Sequence, residues 1–203
     1  MDSDPKKALR KRMKALLAGM DAAEAARRST LAGRHFRALS DYATADIVLA
    51  FLSMPGEICT ETLVEAAMAD GKIVAVPRME TSPADGDYIV FIPLPRDYRS
   101  WPLDSYGIPE PPADAPVLEP RELGAARVIV ATPGLAFDRR GGRLGRGKGY
   151  YDRFLARARV DAARYGGNLV ACGICYAAQV LDEAPMGEGD QRVDLVVTEE
   201  GRA

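Results

Sequence analysis

The chain has 203 residues, of which 47% are hydrophobic and 28% are charged, a composition typical of one domain with a substantial core. The formal net charge of −2 argues against general nucleic-acid binding, because that function needs a broad basic face. The sequence has no apolar run of about 18 residues, no signal-peptide pattern and only three cysteines, which argues against membrane insertion and a complete disulfide framework. We therefore expect a single cytoplasmic domain over residues 1–203 without membrane contact.

Two helices are predicted at the amino terminus. The first covers residues 5–19, with Leu9, Met13 and Leu16 on one apolar stripe. Basic side chains flank this stripe, and solubility alone is a sufficient explanation for them. An Asp-x-x-Glu capping box then opens a second helix over residues 21–39.

Short apolar runs alternate with helices along the rest of the chain and predict an α/β fold. Strands are expected at residues 47–52, 72–76, 88–92, 128–131, 169–174 and 193–197, and helices at residues 60–70 and from residue 151. This order implies parallel strands with right-handed crossovers, and hence a three-layer, mostly parallel, Rossmann-like sheet with helices on both faces. Pro77 is expected to end the second strand. Ligands gather beyond the carboxyl ends of such strands, here after Leu52, Ala131 and Ile174.

Histidine and cysteine chemistry is disfavoured. The only histidine, His35, lies in a helical pattern where a boundary or surface position is usual, which argues against Ser-His-Asp and Cys-His mechanisms and a His-rich zinc site. Cys172 and Cys175 lie in a strand pattern, where residues three apart face opposite ways. Because there is no second cysteine pair, we interpret both as structural.

The strongest functional signal lies between residues 132 and 155. Three cations alternate with three glycines directly before an amphipathic helix: Arg143, Gly145, Arg146, Gly147, Lys148 and Gly149. Glycines let successive backbone N–H groups turn toward an anion, and the helix start adds the positive end of its dipole. The cations add full charges, so this segment predicts a phosphate site.

The same segment matches a Walker A loop incompletely. Residues 142–148 fit its first seven positions, but Gly149 occupies the eighth, where Ser or Thr normally holds magnesium. The glycines also alternate as GxGxG instead of the dinucleotide pattern GxGxxG. A flexible solvated loop and a nucleic-acid module with stacking aromatics are the alternatives. Aromatic and acidic residues at 137–138 and 150–152 favour a defined site in which shape and metal charge are specified.

Two long motifs carry a family resemblance. Residues 133–138 (Pro-Gly-Leu-Ala-Phe-Asp) and 143–152 (Arg-Leu-Gly-Arg-Gly-Lys-Gly-Tyr-Tyr-Asp) resemble the signature of the 5-formyltetrahydrofolate cyclo-ligase family, also called 5,10-methenyltetrahydrofolate synthetases. Shorter matches extend along most of the chain, at residues 6–10, 52–58, 71–78, 106–111 and 193–194. The resemblance implies ATP-driven cyclisation of 5-formyltetrahydrofolate to 5,10-methenyltetrahydrofolate, with release of ADP and phosphate.

This reaction suits the glycine segment. A formamide oxygen is a poor leaving group, so transfer of the γ-phosphoryl of ATP to it forms an N-iminium phosphate that N10 attacks, and loss of phosphate completes the ring. Phosphoryl transfer needs alignment and charge neutralisation more than a proton-transferring histidine. Together with the resemblance, this predicts catalytic roles for Arg143, Arg146 and Lys148.

The resemblance also implies the ligand-binding residues. Those for ATP are Lys6, Lys7, Ala8, Leu9, Arg10, Arg143, Leu144, Gly145, Arg146, Gly147, Lys148, Gly149, Tyr150 and Tyr151. Those for the folate are Leu52, Glu57, Arg146, Gly147, Lys148, Gly149 and Tyr150. Those for Mg²⁺ are Asp152 and Asp194. We expect a monomer whose partners are these small molecules, not nucleic acid.

Several of these residues have structural alternatives. Asp152 stabilises the first turn of a helix without any metal, Asp194 is an acid at a strand start, and Glu57 is also explained as a solvated turn residue. Tyr106 either stacks on the folate or is buried under the Pro-rich segment. Gly189 departs from the family pattern, because many members carry histidine there.

Two further function classes are open on the sequence. A sugar-phosphate isomerase or acyl-CoA transferase relative could share the layered α/β architecture, but those activities do not need ATP hydrolysis. A catalytically silent paralogue is the other, and the retained motif residues argue against it.

Overall fold

The computed structural model describes residues 4–83 and 86–203. The helices are α1 (Pro5–Ala18), α2 (Ala22–Arg37), α3 (Ser40–Thr44), α4 (Glu61–Ala69), α5 (Pro120–Ala125) and α6 (Tyr150–Tyr165). The strands are β1 (Ile47–Leu49), β2 (Ile73–Ser82), β3 (Gly86–Pro93), β4 (Arg127–Thr132), β5 (Ala136–Asp138), β6 (Arg143–Leu144), β7 (Asn168–Ile174), β8 (Val180–Leu181), β9 (Leu195–Thr198) and β10 (Gly201–Arg202). Short 3₁₀ turns cover Tyr98–Ser100 and Ala177–Gln179. Within residues 4–83 and 86–203, no helix is long and apolar enough to cross a membrane.

A seven-stranded sheet forms the centre of the molecule, in the order β10-β9-β7-β4-β1-β2-β3. The five inner strands are parallel, and β3 and β10 pair antiparallel at the two edges. This confirms the predicted α/β fold with a large, mostly parallel sheet. The chain order of the parallel strands reverses between β1 and β4, and a crevice opens beyond the carboxyl ends of strands at such a point.

Alternate residues of the inner strands pack into two separate cores, because successive side chains of a strand point to opposite faces. Val48 and Ile129 belong to the core that includes residues of α1, α2 and α4. Leu49 and Val130 belong to the core that includes residues of α5 and α6. Because β1 and β4 are adjacent parallel strands, the segments that follow them leave the sheet side by side.

The two cysteines near the end of β7 contribute to different cores. Cys172 packs into the α1–α2–α4 core and Cys175 into the α5–α6 core, as their spacing predicted. Both are buried free thiols, and burial raises the pKa of each. Their structural interpretation is confirmed. His35 is half-buried at the edge of α2 and hydrogen-bonds through Nδ1 to the Thr198 carbonyl at 2.9 Å.

The amino-terminal helices differ from the prediction in detail. Helix α1 buries Met13 and Leu17, whereas Leu16 is exposed, so the predicted stripe is wrong at its last position. Asp21 caps α2 by accepting a hydrogen bond from the Glu24 amide at 3.0 Å. The Glu24 carboxylate pairs with arginines one turn further on, so only half of the predicted capping box forms.

Strand β2 continues through Pro77, where the sequence predicted a stop. Pairing with β1 ends at Ala75, and beyond it β2 pairs only with β3. The Leu94 amide donates to the Val74 carbonyl at 2.8 Å, and hydrogen-bonded pairs alternate along an antiparallel ladder. Pro77, opposite Phe91, thus falls where the backbone nitrogen faces away from β3. A proline at such an edge position removes no ladder bond.

The segment after β4 forms a second, three-stranded sheet in the order β6-β5-β8. The sequence did not predict it, because strands of two or three residues are too short to show periodicity. The strands pair β5 antiparallel to β6 and parallel to β8. This sheet carries Arg143 and Leu144, both expected in an open phosphate loop, into the interior.

Candidate active site

The turn after β1 holds Glu57 in a fixed position. The chain leaves the sheet after Leu49, earlier than predicted, and its turn closes on itself: the Ser53 hydroxyl donates to the Ile58 carbonyl at 2.7 Å, and the Thr60 amide donates to Ser53 Oγ at 2.9 Å. The Glu57 carboxylate accepts the Met54 amide through Oε2 at 3.0 Å. The turn thus presents a largely buried carboxylate, 14% exposed, beyond the end of β1.

Arg143 is buried beneath residues 145–149, with a side chain only 3% exposed. Its Nη2 donates to Asp152 Oδ1 at 2.6 Å, and its Nη1 donates to the Pro133 carbonyl at 3.3 Å. Two buried polar atoms, Arg143 Nε and the Tyr151 hydroxyl, have no hydrogen-bond partner among the described residues. Burial raises the pKa of Tyr151. Arg143 therefore ties the start of α6 to the end of β4, instead of standing in the open among the loop cations.

The exposed part of the segment, residues 145–149, carries the other two cations. Arg146 Nε donates to Glu57 Oε1 at 2.8 Å, which joins this loop to the turn after β1. The Lys148 ammonium makes no hydrogen bond or ion pair with any residue described in the structure. Gly147 has φ +110° and Gly149 has φ +69°. Residues other than glycine adopt such positive φ values only at a cost in free energy.

Helix α1 contacts the loop and the nearby Asp190 through two of its predicted ATP-binding cations. Arg10 Nε donates to the Gly145 carbonyl at 3.0 Å, and Lys6 forms an ion pair with Asp190. Burial acts to raise the pKa of Asp190, but the hydrogen bonds from the Lys6 ammonium and a backbone amide outweigh it. The pKa of Asp190 is therefore below its usual value. Lys7 and Ala8 are exposed and Leu9 is half-buried, so of the five predicted residues only Lys6 and Arg10 contact this region by polar groups.

The two acids expected to bind metal have different partners. Asp152, in the first turn of α6, accepts Arg143 and the Gln191 amide, both through Oδ1. Asp194 precedes β9 and accepts the Ala171 amide at 2.7 Å and Arg159 at 3.2 Å. Over residues 4–83 and 86–203, no group of three or more His, Cys, Asp or Glu side chains is arranged to hold a metal. Asp152 lines the cavity described next, whereas Asp194 is not among the residues that line it.

A cavity of about 290 Å³ lies between the turn after β1, the β2–β3 hairpin and the glycine segment. Its lining includes nine of the predicted folate and ATP residues: Leu52, Glu57, Arg143, Gly145, Arg146, Lys148, Gly149, Tyr150 and Tyr151. Asp152, predicted to bind metal, also lines it. The remaining lining is mostly apolar: Phe51, Met54, Pro77, Met79, Ile89, Pro133 and Gly134. The cavity therefore has an apolar wall facing a cationic one.

Sequence reasoning missed the hairpin side of this cavity. Pro77 and Met79 were not site candidates, because the second strand was expected to stop at Pro77, and Ile89 was predicted only as part of the third strand. The polar, apolar, polar order of residues 78–80 after Pro77 was the available signal. Tyr106, one open possibility for stacking, is 58% exposed and does not line the cavity.

Asp138 is a structural support and not a metal ligand. It is buried, and its carboxylate accepts the backbone amides of Arg140, Gly142 and Ala184 at 2.8–2.9 Å. Burial alone raises the pKa of Asp138, but these three donors lower it below its usual value. Of the two acids that flank the glycine segment in sequence, Asp138 is thus occupied by backbone amides.

Gly189 has φ +85°, a conformation that favours glycine over the histidine common in the family pattern. A Cβ built there meets no atom within 4 Å. The departure from the pattern thus accompanies a left-handed turn directly before Asp190, the partner of Lys6.

The chain is similar to known cyclo-ligases. It is 30% identical over 200 residues to the 5-formyltetrahydrofolate cyclo-ligase of Mus musculus, covering 98% of this chain and 95% of the relative. It is 34% identical over 158 residues to a probable 5-formyltetrahydrofolate cyclo-ligase of Schizosaccharomyces pombe, covering 75% of this chain and 74% of the relative.

Structural comparison agrees with the sequence relatives. An NMR structure of Aquifex aeolicus 5,10-methenyltetrahydrofolate synthetase superposes with a TM-score of 0.74 at 26% identity, covering 97% of this chain and 91% of that one. The model of the 5-formyltetrahydrofolate cyclo-ligase family matches residues 2–199. The cavity at the strand reversal and the near-complete family match lead to one conclusion: the chain belongs to the 5-formyltetrahydrofolate cyclo-ligase family.

Proposed function

We propose that this chain cyclises 5-formyltetrahydrofolate to 5,10-methenyltetrahydrofolate with hydrolysis of ATP to ADP and phosphate. The observation that carries the proposal is the cavity in which the Glu57 turn faces the cationic glycine loop. We further propose that the whole chain is one three-layer, Rossmann-like domain acting as a cytoplasmic monomer on these small molecules.

The loop supplies charge and backbone donors for phosphoryl transfer from ATP to the formyl oxygen. Lys148 is exposed and unpaired among the described residues, so its ammonium is available to the triphosphate without breaking a protein contact. The start of α6 adds its dipole, and the left-handed Gly147 and Gly149 shape the backbone around an anion. Such preorganised groups stabilise the charge that builds up on the transferring phosphoryl group.

The apolar wall and Glu57 suit the folate. A pterin ring presents an exocyclic amine and a ring N–H side by side, and one carboxylate accepts both. Leu52, Met54 and Ile89 line the cavity next to Glu57 and offer apolar surface to the ring. N10 then attacks the carbon of the O-phosphorylated formyl group, and phosphate leaves.

Arg143 acts in this proposal by holding the phosphate loop in shape. Its guanidinium bonds to Asp152 and to the Pro133 carbonyl, which fixes the start of α6 against β4. The predicted ATP residues of α1 act from the other side, where Arg10 holds the Gly145 carbonyl. Lys6, Lys7, Ala8 and Leu9 complete the proposed nucleotide-binding stretch: residues 6–10.

The donor set fits a magnesium ion at one carboxylate. Mg²⁺ in nucleotide sites takes one or two carboxylates together with substrate phosphates and water. Asp152 Oδ2 accepts no hydrogen bond from the residues described, so we propose Asp152 as the ligand. Asp194 would have to release Arg159 first. When bound, the ion neutralises charge on the phosphate oxygens.

The test is an absorbance assay for methenyl-folate formation from 5-formyltetrahydrofolate, with and without Mg-ATP. We expect turnover only when both nucleotide and divalent metal are present. Full turnover in excess chelator, or turnover without ATP, would contradict the proposal. A nucleic-acid function is not favoured, because Arg143 is buried and Arg146 is paired with Glu57.

A further inference from the structure

The carboxylate proposed to hold the pterin ring is already bonded to a cation of the phosphate loop. Glu57 accepts Arg146 through Oε1 at 2.8 Å and the Met54 amide through Oε2 at 3.0 Å. The two side chains of the ion pair come from positions 89 residues apart in the chain. A ligand that needs the full carboxylate must therefore compete with Arg146.

The ion pair stands between two cavities. Glu57 and Arg146 line the cavity of about 290 Å³ described above, and they also line a second one of about 670 Å³. The second cavity is formed with residues of α1 and α2, and Ser29 and Tyr176 lie in its wall. Arg146 is 36% exposed, so its side chain has open space on both sides of the pair.

The backbone around Arg146 is anchored, whereas its side chain is held only by Glu57 among the described residues. Arg10 holds the carbonyl of Gly145 on one side, and Gly149 caps α6 on the other. Two glycines flank Arg146 directly, and Lys148 lies two residues further on. A guanidinium released from Glu57 thus belongs to a residue that lines the same cavity as Lys148.

We infer that occupation of the folate pocket transfers Arg146 from Glu57 to the triphosphate, an inference that rests on the proposed function. The pterin donors take the carboxylate, and the released guanidinium adds a second cation to the phosphate loop. Without folate, Glu57 withholds that cation, so ATP is bound more weakly and its phosphoryl group is less well stabilised. The ion pair thereby couples nucleotide activation to the presence of the acceptor.

The test measures binding of a non-hydrolysable ATP analogue with Mg²⁺ by calorimetry, in the absence of folate. Glu57→Gln is expected to raise the affinity roughly three- to fivefold, the upper range for a partly exposed ion pair. In an Arg146→Ala background the same Glu57→Gln change is expected to have no effect. Asp87→Asn is the matched control: Asp87 is an exposed acid near the other end of the loop, 3.4 Å from the Tyr150 hydroxyl, and it does not pair with Arg146.

Three results would overturn the inference: unchanged affinity in Glu57→Gln, an equal gain in Asp87→Asn, or a gain that persists without Arg146. Thermal unfolding of each variant shows whether it is folded. These measurements use nucleotide alone, so they stand whether or not the chain turns over folate. Failure of the turnover assay rejects the proposed function, whereas turnover without this affinity pattern rejects only the coupling.

Discussion

The glycine segment contains two regions that use the same residue types for different purposes. In the buried region, residues 136–138 and 141–144, Asp138 and Arg143 bond to protein partners and build the second sheet. In the exposed region, residues 145–149, Lys148 has no partner among the described residues and Gly147 and Gly149 have positive φ. The comparison teaches that burial and available partners, more than residue type, separate a structural support from a ligand group.

The largest expected effect comes from breaking the buried region. Arg143→Ala should lower the free energy of unfolding by about 3–5 kcal/mol, because it leaves Asp152 without its buried partner. Chemical denaturation measures the loss. Lys148→Ala is the control, since an exposed, unpaired cation should leave unfolding unchanged. Equal stability of the two variants would remove the distinction between the regions.

Lys148→Ala should instead reveal the exposed region through catalysis. Removing one phosphate-facing charge should lower kcat/KM by an amount equivalent to about 2–4 kcal/mol of lost transition-state stabilisation. Steady-state kinetics with Mg-ATP and 5-formyltetrahydrofolate measure this change, and a melting curve provides the check on folding. A variant that melts like the wild type and retains near-normal activity would show that the loop does not hold the triphosphate.

Asp138→Asn tests the buried region by pH. The lowered pKa of Asp138 means that its ionised form stabilises the fold above its ordinary value of 3.8, and this contribution is lost as pH falls through the lower folded pKa. At neutral pH, Asn would turn an amide donor toward backbone amides and cost about 1–3 kcal/mol. Urea unfolding of both proteins from pH 7 to pH ~2 should show the difference shrinking in acid. A constant difference would contradict the assignment.

Glu57→Gln sharpens the comparison between the turn and the loop. The amide keeps one acceptor but opposes a donor to the pterin donors, so folate binding should weaken by about 1–3 kcal/mol. Calorimetry with folate and with an ATP analogue separates the two sites. Loss of nucleotide affinity with folate affinity intact would show that the turn does not hold the pterin ring. Asp87→Asn, away from this ion pair, should leave folate affinity unchanged.

Much of the architecture could be predicted because its signals are local. The apolar runs of β1, β4 and β7 predicted strands, and the run of cations and glycines predicted the start of α6 at a loop. The length of β2 could not be predicted locally, because Pro77 is tolerated only where β1 has stopped pairing. The small β6-β5-β8 sheet was missed for a related reason, since its strands gain stability from each other across the chain.

The candidate site divides in the same way. The glycine segment could be predicted as a phosphate site from the sequence, because polyanion binding needs cations and flexible backbone at adjacent positions. The turn after β1 could be predicted as a ligand site because it follows a strand. Their partners are not evident. The Glu57–Arg146 pair joins positions 89 residues apart, and Asp194 pairs with Arg159, which is 35 residues away in the chain.

The sequence by itself determined the family, the alternation of strands and helices, and the segment that meets phosphate, because each depends on residues close together in the chain. Tertiary structure alone decided which cations are free. Folding buries Arg143 against Asp152, pairs Arg146 with Glu57 and leaves Lys148 exposed. A charged side chain's role depends on its burial and on its partners, and these arise only when distant parts of the chain come together.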